Sequence, residues 1–216
     1  MFIGHFALGF AAKRAAPNLS LALLFVACQL ADLMWPVFLA AGLESVRIAP
    51  GITAFTPLDF VSYPYSHSLV ALCLWGVMFG SACWLLGARG RASLLIAGLV
   101  VSHWLLDLVS HRPDMPIYPG GALWGLGLWN SVPATLLVEL SLYGAGVWLY
   151  STTTRASDAA GRWSFVALTL FLLIAYFANV VGGPPPSVRA VYTLGVLGGL
   201  MIVVWSWWTD RHRQTV

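Results

Sequence analysis

Charge is what this chain lacks most. Asp, Glu, Lys and Arg make up 9% of its 216 residues, against 59% that are hydrophobic. Mean hydropathy is +0.82, more apolar surface than a water-soluble core needs. The net charge of +3 is too small and too scattered for nucleic-acid binding, which requires a concentrated basic surface. Cysteine is scarce too. Cys28, Cys73 and Cys83 all fall in apolar stretches and show no metal-site spacing, so they read as reduced packing residues. No internal repeat and no low-complexity linker divides the chain, and one domain over 1–216 is expected. Nor does "MFIGHFALGFAAKR" resemble a cleavable signal, because its basic residues follow the apolar part instead of preceding it.

Long apolar runs take the place of charge. A helix needs ~20 apolar residues to cross a hydrocarbon layer. Six runs approach that length, at 19–43, 66–87, 92–110, 131–150, 163–181 and 188–208, and a shorter one at 2–14 covers only part of a bilayer. The expected fold is all-α: a polytopic membrane helix bundle of six transmembrane helices plus a short N-terminal membrane-embedded helix. "ARGR" (88–91) and "STTTRASDAAGR" (151–162) are polar connectors, and "GGPPP" (182–186) is a turn that no helix passes through.

Basic residues divide unequally. Lys13, Arg14, Arg89, Arg91, Arg155, Arg162, Arg211 and Arg213 would lie on one side, and Arg47, Arg112 and Arg189 on the other. The positive-inside rule then puts the first group and the C-terminus in the cytoplasm, with the long loops 44–65 and 111–130 outside. Trp35, Trp124, Trp129, Trp205, Trp207 and Trp208 fall near the expected interfaces, as belt tryptophans do. The GxxxG pairs Gly76/Gly80 and Gly195/Gly199 are expected to pack helices closely within the bundle in preference to dimerising it.

Against this apolar background, a few polar residues stand out: His5, Asp32, His67, His103, Asp107, His111 and Glu139. A charge near a bilayer centre costs about 2.5–3.5 kcal/mol on insertion scales, so such residues are candidate functional groups. In "SHWLLDLVSHRP" the spacing of four puts His103, Asp107 and His111 on one helical stripe. Counted at ~1.5 Å per residue from the cytoplasmic ends, His5, Asp32, His103, Asp107 and Glu139 converge at depths of roughly 14–20 Å. His67 and His111 lie nearer the outer surface. Imidazoles with carboxylates are the ligands of zinc, manganese or iron, and the cation offsets the cost of burying the carboxylates. A hydrogen-bonded network or proton relay is the competing reading. Pro36 is expected to kink the second segment, either aiming Asp32 inward or as a membrane proline kink without function, and Ser66 to cap a helix that His67 opens, with Ser66 or Ser68 also able to reach a phosphate.

"GHFALG" near the start, "LADLMWP" at 30–36, "YSHSL" at 65–69 and "SHWLLD" at 102–107 resemble the YdjM-like family of inner-membrane metal-dependent hydrolases. The resemblance covers roughly the first 120 residues and implies His5, Asp32, His67, His103 and Asp107 as the site. It departs at Met34 and Trp35, where the family's second motif carries a further Asp and a His, so a single metal is expected. His111 has no counterpart in the family pattern.

The function expected from these readings is metal-dependent hydrolysis of an ester, amide or phosphoester bond in a lipid-like substrate. The metal ligands would be drawn from His5, Asp32, His67, His103, Asp107 and His111, with Asp32 or Glu139 as general base where not a ligand. Zinc is the expected ion, with manganese or iron as alternatives. The loop 111–130 reads as an interfacial flap in which Arg112 engages an anionic headgroup. Membrane lipids are the expected partners and nucleic acid is not. A transporter or a metal- or proton-handling protein using the same cluster as a transit site is the alternative, although no inverted repeat supports it.

Overall fold

The structure is a computed structural model describing residues 1–88 and 90–216; Arg89, counted above among the basic residues, lies outside the described residues. The α-helices are α1 (Ile3–Ala15), α2 (Leu21–Cys28), α3 (Leu30–Ala40), α4 (Pro64–His67), α5 (Leu69–Leu85), α6 (Arg91–Ser110), α7 (Val132–Thr153), α8 (Ala159–Val181) and α9 (Val188–Arg211). Three short antiparallel ribbons, absent from the all-α expectation, tie the loops: β1 (Ser45–Ile48) with β2 (Leu58–Ser62), β3 (Met115–Pro116) with β4 (Leu123–Trp124), and β5 (Thr154–Ala156) with β6 (Arg213–Thr215).

Helices α6 to α9 are each long and apolar enough to cross a membrane, and α2 with α3 makes a fifth candidate span, bent by 60°. Helix α5 is apolar but only 17 residues long. The run at 66–87 does not form one helix because the backbone turns extended at Ser68, whose hydroxyl accepts from the Ala71 amide and caps α5. Ser66 is therefore not the cap expected of it, and His67 ends a single turn, α4, instead of opening a long helix. Polar side chains cap four further helices in the same way: Ser20 for α2, Ser131 for α7, Asp158 for α8 and Ser187 for α9.

Helix α1 is the centre of the bundle, not an attachment to it. Ile3, Gly4, His5, Phe6, Ala7, Gly9, Phe10, Ala12 and Lys13 are all buried. A helix apolar on every side is one enclosed on every side. It lies closest against α7, where a Cβ on Gly146 would stand 2.4 Å from the Ala7 carbonyl oxygen. The GxxxG pairs also act within the chain. Gly76 and Gly80 let α5 approach the Ala97 and Ser93 carbonyls of α6, while Gly195 and Gly199 of α9 receive Pro36 and Leu33 of α3.

The two ends of the bundle differ. At one, Lys13 is buried rather than solvated. Its ammonium donates to Asp210 and to the Leu19 carbonyl at 2.7 Å each, Tyr150 donates to the same carboxylate at 2.8 Å, and the β5–β6 ribbon fastens the chain's last residues to the connector after α7. At the other, the loops 41–63 and 111–131 fold over the ends of α1, α4 and α6, joined where the Phe55 amide donates to the Trp129 carbonyl at 3.0 Å.

Candidate metal centre

The site lies beneath those loops, and Asp107 is at its middle. Helix α6 brings His103 and Asp107 one turn apart, with His103 Nε2 3.1 Å from Asp107 Oδ2. The first turn of α1 brings His5, whose Nε2 is 3.0 Å from Asp107 Oδ1. His67, at the end of α4, stands 3.9 Å from Asp107 Oδ2 and 3.4 Å from Asp32 Oδ1. Asp32 comes from the first turn of α3 and lies 3.7 Å from His103 Nε2. The His5 and His103 rings stack at 3.7 Å. The Met1 amino group also contacts Asp107 and lies 3.0 Å from Ser110 Oγ.

Among the described residues, two sets of three donor atoms each lie close enough to share an ion: His5, His103 and Asp107, and Asp32, His67 and His103. His111 is peripheral to both. Helix α6 stops at Ser110, and His111 Nε2 remains 3.9 Å from Asp107 Oδ2. Glu139 is placed differently again. Its Oε2 accepts from the Phe2 and Gly4 amides at 2.9 and 3.2 Å, so this α7 carboxylate caps the start of α1, where amides have no helical partner. Its Oε1 is buried with no hydrogen-bond partner.

The far nitrogens of three histidines are each held by a neighbour. His103 Nδ1 donates to the Cys28 carbonyl at 2.9 Å. That carbonyl is available because the helix breaks between α2 and α3 at Gln29, one turn before Asp32. The bend is thus not at Pro36, which sits inside α3 and packs on Gly195. His111 Nδ1 donates to Asp114 Oδ1 at 2.9 Å, and His67 Nδ1 lies 2.7 Å from Ser66 Oγ. A neutral imidazole that donates through one nitrogen presents a bare lone pair at the other. His103 Nε2 is buried, has no hydrogen-bond partner among the described residues and faces carboxylate oxygens, so a neutral His103 ring turns its lone pair toward them. Lone pairs turned toward carboxylates repel unless positive charge lies between them, and that is the arrangement a divalent cation fits.

Access is one-sided. The Asp32 side chain is 38% exposed, whereas those of His5, His67, His103, Asp107 and His111 are 4% exposed or less. Aromatic rings cover the outer side. Trp129 and Phe60 lie 4.3 and 4.8 Å from the His111 ring, and Trp35 meets both Phe60 and His67. Trp129 and Trp35 thus pack onto the site, whereas Trp124, Trp207 and Trp208 are exposed. Tyr63 donates to Asp114 at 3.0 Å, and burial followed by the Asp114 charge pushes its phenol well above the usual range, so it remains a donor. Arg112, expected to meet a headgroup, has its guanidinium against Asp59 and Asp114. Of the cysteines, Cys28 and Cys83 are buried, Cys73 is exposed, and all are free.

Sequence reasoning did not find Glu44, Asp114 or Tyr63. Asp114 has a local signal, three residues past His111 in "HRPD". Glu44 has none, since it lies 23 positions from the histidine it serves, through Ser66. No family model, no curated protein and no solved structure matches the chain.

Proposed function

We propose that this protein is a metal-dependent hydrolase embedded in a bacterial inner membrane, acting on an ester, amide or phosphoester bond of a lipid-like substrate. The observation that carries the metal reading is the buried Nε2 of His103, turned toward two carboxylates with no assigned hydrogen-bond partner among the described residues, while its Nδ1 is held by a backbone carbonyl. His5, His67, His103, Asp107 and Asp32 would hold one divalent ion, zinc in the first place; the motifs "GHFALG", "YSHSL" and "SHWLLD" support the same set through their resemblance to YdjM-like proteins. Bound there, a divalent cation supplies Lewis acidity toward a phosphoryl or carbonyl oxygen and lowers the pKa of water.

The chain's own residues do the remainder. Asp32, the accessible carboxylate, meets substrate first and either completes the ligand set or takes the proton from the attacking water. The aromatic cover of Phe60, Trp35 and Trp129 keeps bulk water from the opposite side. An amphiphile suits this arrangement, because its tail can stay in the hydrocarbon layer while its polar bond reaches Asp32. In this reading α2–α3, α4–α5 and α6 to α9 are the six crossings, α1 is the membrane-embedded central helix, and the C-terminus is cytoplasmic.

The test is a panel of membrane lipids incubated with wild-type protein and with Asp32→Asn, products read by mass spectrometry. Wild-type turnover should be abolished by a chelator and restored by zinc or manganese, and Asp32→Asn should lose most of it. Identical product profiles from both proteins, with the wild type metal-loaded, would discard hydrolysis and favour use of the same cluster as a transit site.

A further inference from the structure

Glu44 sits in the turn after α3 and is buried. Its Oε1 accepts from the Tyr65 and Ser66 amides at 2.8 Å each, and its Oε2 accepts from Ser66 Oγ at 2.6 Å. A serine hydroxyl has one proton to give. Ser66 gives it to Glu44, because a carboxylate only accepts. What Ser66 has left for His67 Nδ1, 2.7 Å away, is a lone pair, so Nδ1 must be the donor. The neutral ring then carries no proton on Nε2, the atom 3.4 Å from Asp32 Oδ1.

We propose that Glu44 is a positioning residue that works through Ser66 to fix His67 in the tautomer whose Nε2 is free to bind a metal ion. The inference rests on the metal reading of the site only for its consequence; the direction of the hydrogen bonds does not depend on it. His103 is held by a main-chain carbonyl and His111 by a carboxylate directly. His67 alone of the three is held through a hydroxyl, a group that can turn its proton either way. The direction of this relay is therefore set at Glu44.

Glu44→Gln separates this role from a purely structural one. The Gln carbonyl oxygen can still accept from the Tyr65 and Ser66 amides, so the cap on α4 is kept. Its NH2 group, however, donates to Ser66 Oγ. The Ser66 proton, no longer drawn to a carboxylate, is then free to turn to His67 Nδ1, and the expected result is that the ring proton moves to Nε2, where it blocks a ligand position. A capping role alone predicts no change at the ring.

The experiment uses the full chain, labelled with 15N-histidine, in lipid nanodiscs without metal. Long-range proton–nitrogen correlations should show His67 as the Nδ1–H form in the wild type and the Nε2–H form in Glu44→Gln. In parallel, zinc affinity measured by chelator competition should fall about 10–100-fold in Glu44→Gln, the usual cost of removing an outer partner of a ligating histidine. Adding Ser66→Ala to Glu44→Gln should cost nothing more. An unchanged tautomer in Glu44→Gln overturns the proposal. Should that variant not fold, Ser66→Ala alone decides, since it breaks the relay while Glu44 still accepts both amides; a His67 ring still wholly in the Nδ1–H form would overturn it. If the wild type binds no zinc, the metal reading fails, and the tautomer measurement still decides the relay.

Discussion

At the scale of single residues the site depends on which nitrogen of each histidine is free. His103 and Asp107 belong to the same helical turn, and their side chains reach the cluster together. Purified protein should contain about one equivalent of a divalent ion, and His103→Ala or Asp107→Ala should each lower zinc affinity by more than the about 10–100-fold of an outer partner. Elemental analysis and chelator competition read this, and full occupancy in both variants would refute the centre. This much was legible in "SHWLLD", because a spacing of four has one geometric meaning on a helix. Glu44 was not legible, since nothing in the residues around it points across 22 positions to Ser66. Glu139 was visible as a buried carboxylate, but its task of capping α1 appears only once α1 and α7 are side by side.

At the scale of elements, the placement of α1 decides whether His5 reaches the centre. Its approach to α7 has no room for a side chain at Gly146, where a Cβ would meet the Ala7 carbonyl at 2.4 Å. Gly146→Val should push α1 away, cost roughly 1–3 kcal/mol of stability, and weaken zinc binding through His5. Thermal unfolding and chelator competition should change together; unchanged zinc affinity at reduced stability would show that α1's position does not matter to the site. The opposite end has its own clasp. Asp158 accepts from the Gly161 amide at 2.8 Å and from His212 Nδ1 at 2.7 Å, and these two bonds hold its carboxyl below the ordinary carboxylate range. A lowered folded-state pKa means that the contribution is complete above the unfolded value of about 3.9 and fades as pH falls below it. Hydrogen exchange at the Ser157 amide, which donates to the His212 carbonyl at 2.9 Å, should therefore quicken relative to neighbouring loops below about pH 4. Asp158→Asn should remove that pH dependence.

At the scale of the whole molecule, the helices expose apolar side chains between two unlike ends. Leu74, Val77, Leu94, Leu137, Ile174, Leu194 and Leu197 are exposed on their helices, which suits a hydrocarbon surround. Burial of Lys13 against Asp210 removes one residue from the count of solvated basic groups, yet leaves most of the others at the same end. With the exposed Cys73 replaced by Ser, single cysteines at Ser157 and Pro119 should react oppositely with an impermeant thiol reagent on intact cells. Labelling at position 119 and protection at 157 is the expected result; the reverse would invert the topology.

The sequence alone determined the apolar, membrane-capable helices and nominated the residue types of the His/Asp cluster, because each depends on local composition or helical period. It placed His103 with Asp107 for the same reason. Tertiary structure decided what local rules do not reach: that α1 is the central helix, that the chain bends at Gln29 and so offers the Cys28 carbonyl to His103, and that 66–87 breaks at Ser68. It also decided that the loop residue Trp129 lies over His111 and that Asp32 is the most exposed of the clustered residues. These outcomes depend on how close helices can pack and on which orphaned backbone groups meet which side chains, and both are settled only by contacts between distant parts of the chain.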